Sequence, residues 1–107
     1  DAPPCEGVSC IGDGPVPVHY SQVQFRVKTV PRFPRAAKEL GLTSETCKVR
    51  VQVSTRGRPE QIEVLDCPAI FHEELMRAAK TWRFRPARAG GQAIPAVTVI
   101  PVHFRLD

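Results

Sequence analysis

The chain lacks most of the features that announce a function. Its 107 residues hold no run of about 18 apolar residues, so no helical membrane span is expected. The opening "DAPPCEGVSC" has neither the basic nor the apolar region of a secretory signal. A chain that starts at Asp1 is expected to be a processed product or a piece of something longer. No block of five like charges and no basic tail occur, although the formal net charge is +4. That sign suits an acidic partner, a cell-wall polymer, nucleic acid or an ordinary soluble domain. Aromatic residues make up only 7% of the chain, and none alternates with basic residues along a strand in the way single-stranded nucleic acid requires. No nucleic-acid partner is expected.

Catalytic groupings are missing too. There is no G-x-S-x-G, no H-E-x-x-H, no phosphate loop and no paired-acid signature. His72-Glu73-Glu74 begins like a metal-binding helix, but Met76 stands where the second His is needed. His103 has no nucleophile near it in sequence, and a solvated surface His is the plainer account of both. The expectation is a chain that is not an enzyme and takes no cofactor or metal.

What the chain does have is cysteine. Four Cys in so short a chain allow three pairings. Cys5 and Cys10 are spaced C-x4-C, whereas Cys47 and Cys67 stand alone, and His19, His72 and His103 are dispersed. Zinc sites use closer ligand pairs, so disulfides are expected, and with them an oxidising compartment. The stretch "CKVRVQVSTRGRPEQIEVLDC" narrows the pairing. Val49, Val51 and Val53 alternate with Lys48, Arg50 and Gln52; after the turn at Gly57, Ile62 and Val64 alternate with Gln61 and Glu63. This is a β-hairpin. Folding it about Arg56–Gly57 sets residues whose numbers sum to about 113 opposite one another. Cys47 then meets Asp66 or Cys67, within disulfide reach. Such a bridge, closing about 20 residues, contributes roughly 3 kcal/mol.

The remaining segments fall into place around the hairpin. Residues 1–27 are rich in Pro and Gly and read as an arm pinned by Cys5–Cys10, with a possible extra strand where Val23, Phe25 and Val27 alternate with polar residues. "PRAAKELGL" is a helix of about two turns, with Pro34 at its start, Ala36, Ala37 and Leu40 on one side, and Gly41 as its stop. "DCPAIFHEELMRAAKTWRF" is the main helix, with Phe71, Leu75, Ala78 and Trp82 on one stripe and Arg77, Lys80 and Arg83 elsewhere. Trp82 is therefore expected in the core. Pro86 ends that element and "AGGQ" turns the chain. The last run, "IPAVTVIPVHFRLD", is a long strand with Thr98, Ile100, Val102, Phe104 and Leu106 on one face and Val97, Val99, Pro101, His103 and Arg105 on the other. Pro101 cannot donate to a ladder, which puts this strand at a sheet edge or a bulge. A long apolar edge is normally protected or used.

"P-x-F-P-x-x-A" (Pro31, Phe33, Pro34, Ala37), "KVRVQVSTRGRPEQIEVL", "AAKTWRFRPA" (Trp82, Phe84, Pro86) and the closing "VIPVHFRL" together resemble the C-terminal domain of the TonB energy transducers. The resemblance runs from about residue 28 to 106, and its W-x-F-x-P element is the most specific part. It implies a two-layer α+β domain covering 28–107, with a three-stranded antiparallel sheet and two helices on one face. It implies a periplasmic location, with an inner-membrane motor reached through a region not in this sequence. The implied partner is an outer-membrane transporter whose short extended segment adds as a strand to the final edge. Val97, Thr98, Val99, Ile100, Val102, His103 and Phe104 are the expected docking residues. Two features depart from the family core. Pro101 interrupts the docking strand, and the "VPVHYSQVQFRV" arm is an addition that could pair with the same edge and block it, or be exchanged between two copies. A related adaptor in another envelope machine, such as motility or secretion, is an alternative. So is a peptidoglycan binder using Arg32, Arg35, Arg83, Arg85 and Arg88.

Overall fold

The computed structural model describes residues 14–106. Its centre is the predicted hairpin. Strand β3 (Ser44–Val53) pairs antiparallel with β4 (Pro59–Leu65), and the register sets Lys48 opposite Leu65, Val49 opposite Val64 and Gln52 opposite Gln61. These pairs all sum to 113, as the folding point at Arg56–Gly57 requires. The register slips only beside the turn, where Val53 meets Pro59. Cys47 and Cys67 form a disulfide with their Cα atoms 4.7 Å apart. The expected Cys5–Cys10 bridge lies outside the described residues.

The sheet is larger than expected. The three predicted strands are β4, β3 and β8 (Ala96–Arg105), but a fourth, β1 (Val16–Pro17), adds in parallel to the far side of β8, giving the order β1-β8-β3-β4. Two small antiparallel pairs lie apart from it. One joins β2 (Phe25–Val27) to β5 (Arg83–Phe84); the other joins β6 (Ala87–Ala89) to β7 (Gln92–Ile94) across Gly90 and Gly91. Both glycines have positive φ, at 59° and 80°, which suits the tight two-residue turn that links β6 to β7.

One face of the sheet carries the core. Along β3 the odd-numbered residues from Cys47 to Val53 are buried; along β8 the even-numbered ones are. Helices α1 (Arg35–Glu39) and α2 (His72–Ala79) cover this face with Ala37, Leu75 and Ala79. Helix α1 is shorter than expected and buries only Ala37. Ala36 is exposed and Leu40 is 70% exposed, and Leu42 and Phe33 pack against the core instead. Helix α2 is also shorter. A 3-10 turn at Ala69–Phe71 precedes it, and it ends at Ala79, three residues before Trp82. His72 Nε2 donates to the Cys67 carbonyl at 2.7 Å, tying the start of α2 to the disulfide.

Trp82 is core, as predicted, but it is not on a helix. It is 1% exposed, and Phe25 meets its ring edge-on at 5.4 Å. Its indole Nε1 donates to the Thr29 carbonyl at 2.8 Å, so a buried polar group finds its partner in the segment just after the arm. Phe84, two residues on, is equally buried and packs on Phe25 at 4.7 Å. Arg83 turns its guanidinium onto the Lys80 and Trp82 carbonyls, which lie just past the end of α2.

The hairpin tip is locked to this element. Gly57 has φ 81°, and its carbonyl accepts from Phe84 N–H at 2.8 Å. A Cβ at Gly57 would overlap the Phe84 carbonyl oxygen. Glycine is required twice here, for the backbone conformation and for the approach. Gly57→Ala should therefore destabilise the domain by roughly 2–5 kcal/mol, the sum of left-handed strain and a backbone clash. Thermal denaturation of the variant checks this; a midpoint within a degree or two of wild type would contradict the close approach. Reduction of the disulfide should lower the unfolding free energy by about 3 kcal/mol, read from urea curves with and without reductant.

Candidate partner-binding edge

The direction of each backbone group along β8 decides what its edge can do. Val16 N–H donates to the Pro95 carbonyl at 3.0 Å and Val18 N–H to the Val97 carbonyl at 2.9 Å. The carbonyls of 95 and 97 thus point away from β3. In an extended strand the N–H and C=O of one residue point to the same side, and successive residues alternate. Odd-numbered residues of β8 therefore face outward, and even-numbered residues face β3.

This parity sorts the seven expected docking residues. Thr98, Ile100, Val102 and Phe104 turn their backbone to β3 and their side chains into the core. Val97, Val99 and His103 have outward backbone and side chains on the solvent face. The carbonyl of Val97 is already engaged by Val18. Past β1, the stretch left open among the described residues runs from Val99 to Arg105, and it includes Pro101 and Arg105 besides the expected Val99 and His103. Alternation of the strand was enough to group them with Val99 and His103; which group faced outward needed the position of β1.

Pro101 has an outward nitrogen. Its missing N–H leaves the ladder to β3 complete and makes a gap in the outer edge. The strand is still well anchored from within: β3 pairs with it along its whole length, from Ser44 opposite Arg105 to Val53 opposite Ala96.

The solvent face of the sheet is polar around this edge. Arg50 donates to Glu63 at 2.6 Å and Gln52 to Gln61 at 2.9 Å across β3 and β4, while Thr46 Oγ1 and His103 Nδ1 lie 3.0 Å apart across β3 and β8. Among the described residues, the arm does not lie along the edge as a long strand. Phe25–Val27 pair with Arg83–Phe84 instead, while Val16–Val18 and the turn at Tyr20–Gln22 approach β8. Beneath the end of the sheet, Arg26, Arg85 and Arg88 line a cleft of about 600 Å³ whose floor includes Val53 and Ala96.

The model of the family described as Gram-negative bacterial TonB protein C-terminal matches residues 29–106. The match starts at the residue whose carbonyl holds Trp82 and leaves β1 and β2 outside it. Among solved structures, the solution NMR structure of the Pseudomonas aeruginosa TonB CTD is similar to this chain with a TM-score of 0.64 and 26% identity, over 81% of this chain and 89% of that one. No curated protein matches the chain. With the hairpin, the W-x-F-x-P element and the closing strand all inside the matched span, this chain belongs to the TonB C-terminal domain family.

Proposed function

We propose that this domain is a periplasmic protein-binding module that captures a short extended segment of an envelope partner by strand addition at the outer edge of β8. The observation that carries the proposal is the row of outward backbone groups from Val99 to Arg105, which no strand pairs among the described residues. Unpaired N–H and C=O groups in register are a template for one more strand, and backbone hydrogen bonds made there supply affinity whatever the side chains. The rest of the domain suits a pulled connection. An added strand would lie beside β8, which is hydrogen-bonded along its whole length to β3, which is in turn paired to β4 and closed by the disulfide.

In the TonB setting the partner is an outer-membrane transporter, and the pull comes from a proton-driven motor in the inner membrane reached through a region outside this sequence. An adaptor in another envelope machine would use the same edge. A peptidoglycan-binding role would draw instead on Arg85 and Arg88, which with Arg26 line the cleft below the sheet. Salt-sensitive sedimentation with peptidoglycan is its distinguishing behaviour.

Titrating the oxidised domain with extended peptides copied from transporter TonB boxes should move the amide signals of Val99, His103 and Arg105, with little change along β4. Shifts confined to the arginine-lined cleft, or none at any site, would refute strand addition at this edge. Pro101→Val restores one outward donor. Since a hydrogen bond contributes about 0.5–1.5 kcal/mol net, peptide affinity should rise roughly two- to tenfold. Unchanged affinity would place the partner's ladder elsewhere.

A further inference from the structure

The edge is bounded at one end by the arm, and the boundary forms a pocket. β1 stops at Pro17, and the chain then turns through His19 into a 3-10 turn at Tyr20–Gln22. Ser21 N–H donates to His19 Nδ1 at 3.2 Å, and the His19 and Tyr20 rings lie 4.6 Å apart, so the turn holds Tyr20 in place. Pro17, Tyr20, Val97, Val99 and Arg50 line a shallow groove of about 280 Å³ on the solvent face, at the point where β1 ends and the open edge begins. Tyr20 is 45% and Val99 37% exposed, two of the five large apolar side chains so exposed among the described residues. Arg50, on the far wall, is already paired with Glu63. Apart from Arg50 and His19, the groove offers mainly the apolar surface of Pro17, Val18, Tyr20, Val97 and Val99. It is smaller than most pockets for drug-sized ligands, at ~300–1000 Å³, and fits a single side chain.

We propose that this groove is a side-chain selecting pocket for the added strand, and that β1 acts as the stop that sets its register. This deepens the strand-addition proposal and rests on it. The occupant follows from the backbone. The open groups beside the groove belong to Val99, and they accept only another extended chain. A residue paired with Val99 places its side chain on the same face as Val99, whichever way the added strand runs. That side chain therefore projects beside Val97 and Val99 and toward Pro17 and Tyr20. The partner's next residues in that direction cannot continue along β8, because the carbonyls of Pro95 and Val97 are taken by Val16 and Val18. The added strand ends at the stop with an apolar residue in the groove. The arm serves as one wall of the binding site rather than as a blocker of it.

A Leu scan tests this on the intact oxidised chain. Heptapeptides of alternating Thr and Ser, each with one Leu at a different position, are titrated against wild type and Tyr20→Ser and followed by amide NMR. One Leu position should bind about tenfold more tightly than the others, because burying most of one Leu side chain supplies that much. Its signals should centre on Val97 and Val99, and Tyr20→Ser should erase the preference while leaving weak binding along Val99–Arg105. Tyr20 is exposed and outside the core, so the variant keeps its fold, which its amide spectrum verifies. Binding along the edge with no preferred Leu position, or a preference that survives Tyr20→Ser, would overturn the pocket and leave strand addition standing. No binding by any peptide, here or in the TonB-box titration, would overturn both.

Discussion

The path of the described part of the arm depends on one close approach, that of the hairpin tip to the backbone of Phe84. Gly57 meets Phe84 without a side chain between them, and the two exchange a hydrogen bond at 2.8 Å. With that contact made, Phe84 is buried and stacks on Phe25, and Trp82 reaches the Thr29 carbonyl. Arg85 N–H donates to the Gln24 carbonyl at 2.8 Å on the same line. The segment after α2 is thus fixed on one side by the hairpin and fixes the arm on its other side. It holds the chain that leads back to residues 16–18, which then lie against β8 through their own bonds to the Pro95 and Val97 carbonyls. A glycine forty residues along the chain thus helps to place β1.

Much of this could be read in the sequence, and the parts that could were local. The β3–β4 register follows from alternation plus one Gly, and the disulfide follows from the register. Alternation also sorts β8 into its two faces. The misjudged elements were those whose ends are set by tertiary contact. A stripe at i, i+4, i+7 and i+11 carried the main helix through Trp82, yet the chain leaves the helix after Ala79 so that Phe84 can reach Gly57 and Phe25. Alternation at Val23, Phe25 and Val27 marked a strand correctly but could not name its partner. Only Phe25 of β2 finds the core side, with Val27 left 49% exposed. β1 leaves no trace, because two residues, one a proline and the other preceded by Pro15, carry no periodic signal at all.

Those prolines nonetheless explain why so short a strand is useful. Val16 and Val18 point their N–H groups at β8, so Pro15 and Pro17, which alternate with them, stand with their nitrogens on the outer side. Neither has a donor to offer there. β1 therefore closes the sheet where it pairs and does not present a fresh edge of its own.

Pro101 applies the same chemistry at the open part of the edge, but only once. A fully equipped ten-residue apolar edge would pair readily with a second copy of itself, since every donor would find an acceptor. Removing the donor in the middle weakens any such ladder by one bond. The loss matters most for a partner that relies on backbone pairing alone, as another copy of an edge would. A partner that also places an apolar side chain beside Tyr20 and Val99 gains energy that a nonspecific ladder lacks. Under the proposed strand addition, proline at 101 would lower affinity for all strands by a similar amount, while the groove would restore it for one kind. In that docking mode, discrimination between a true partner and a stray edge would come from the groove's difference.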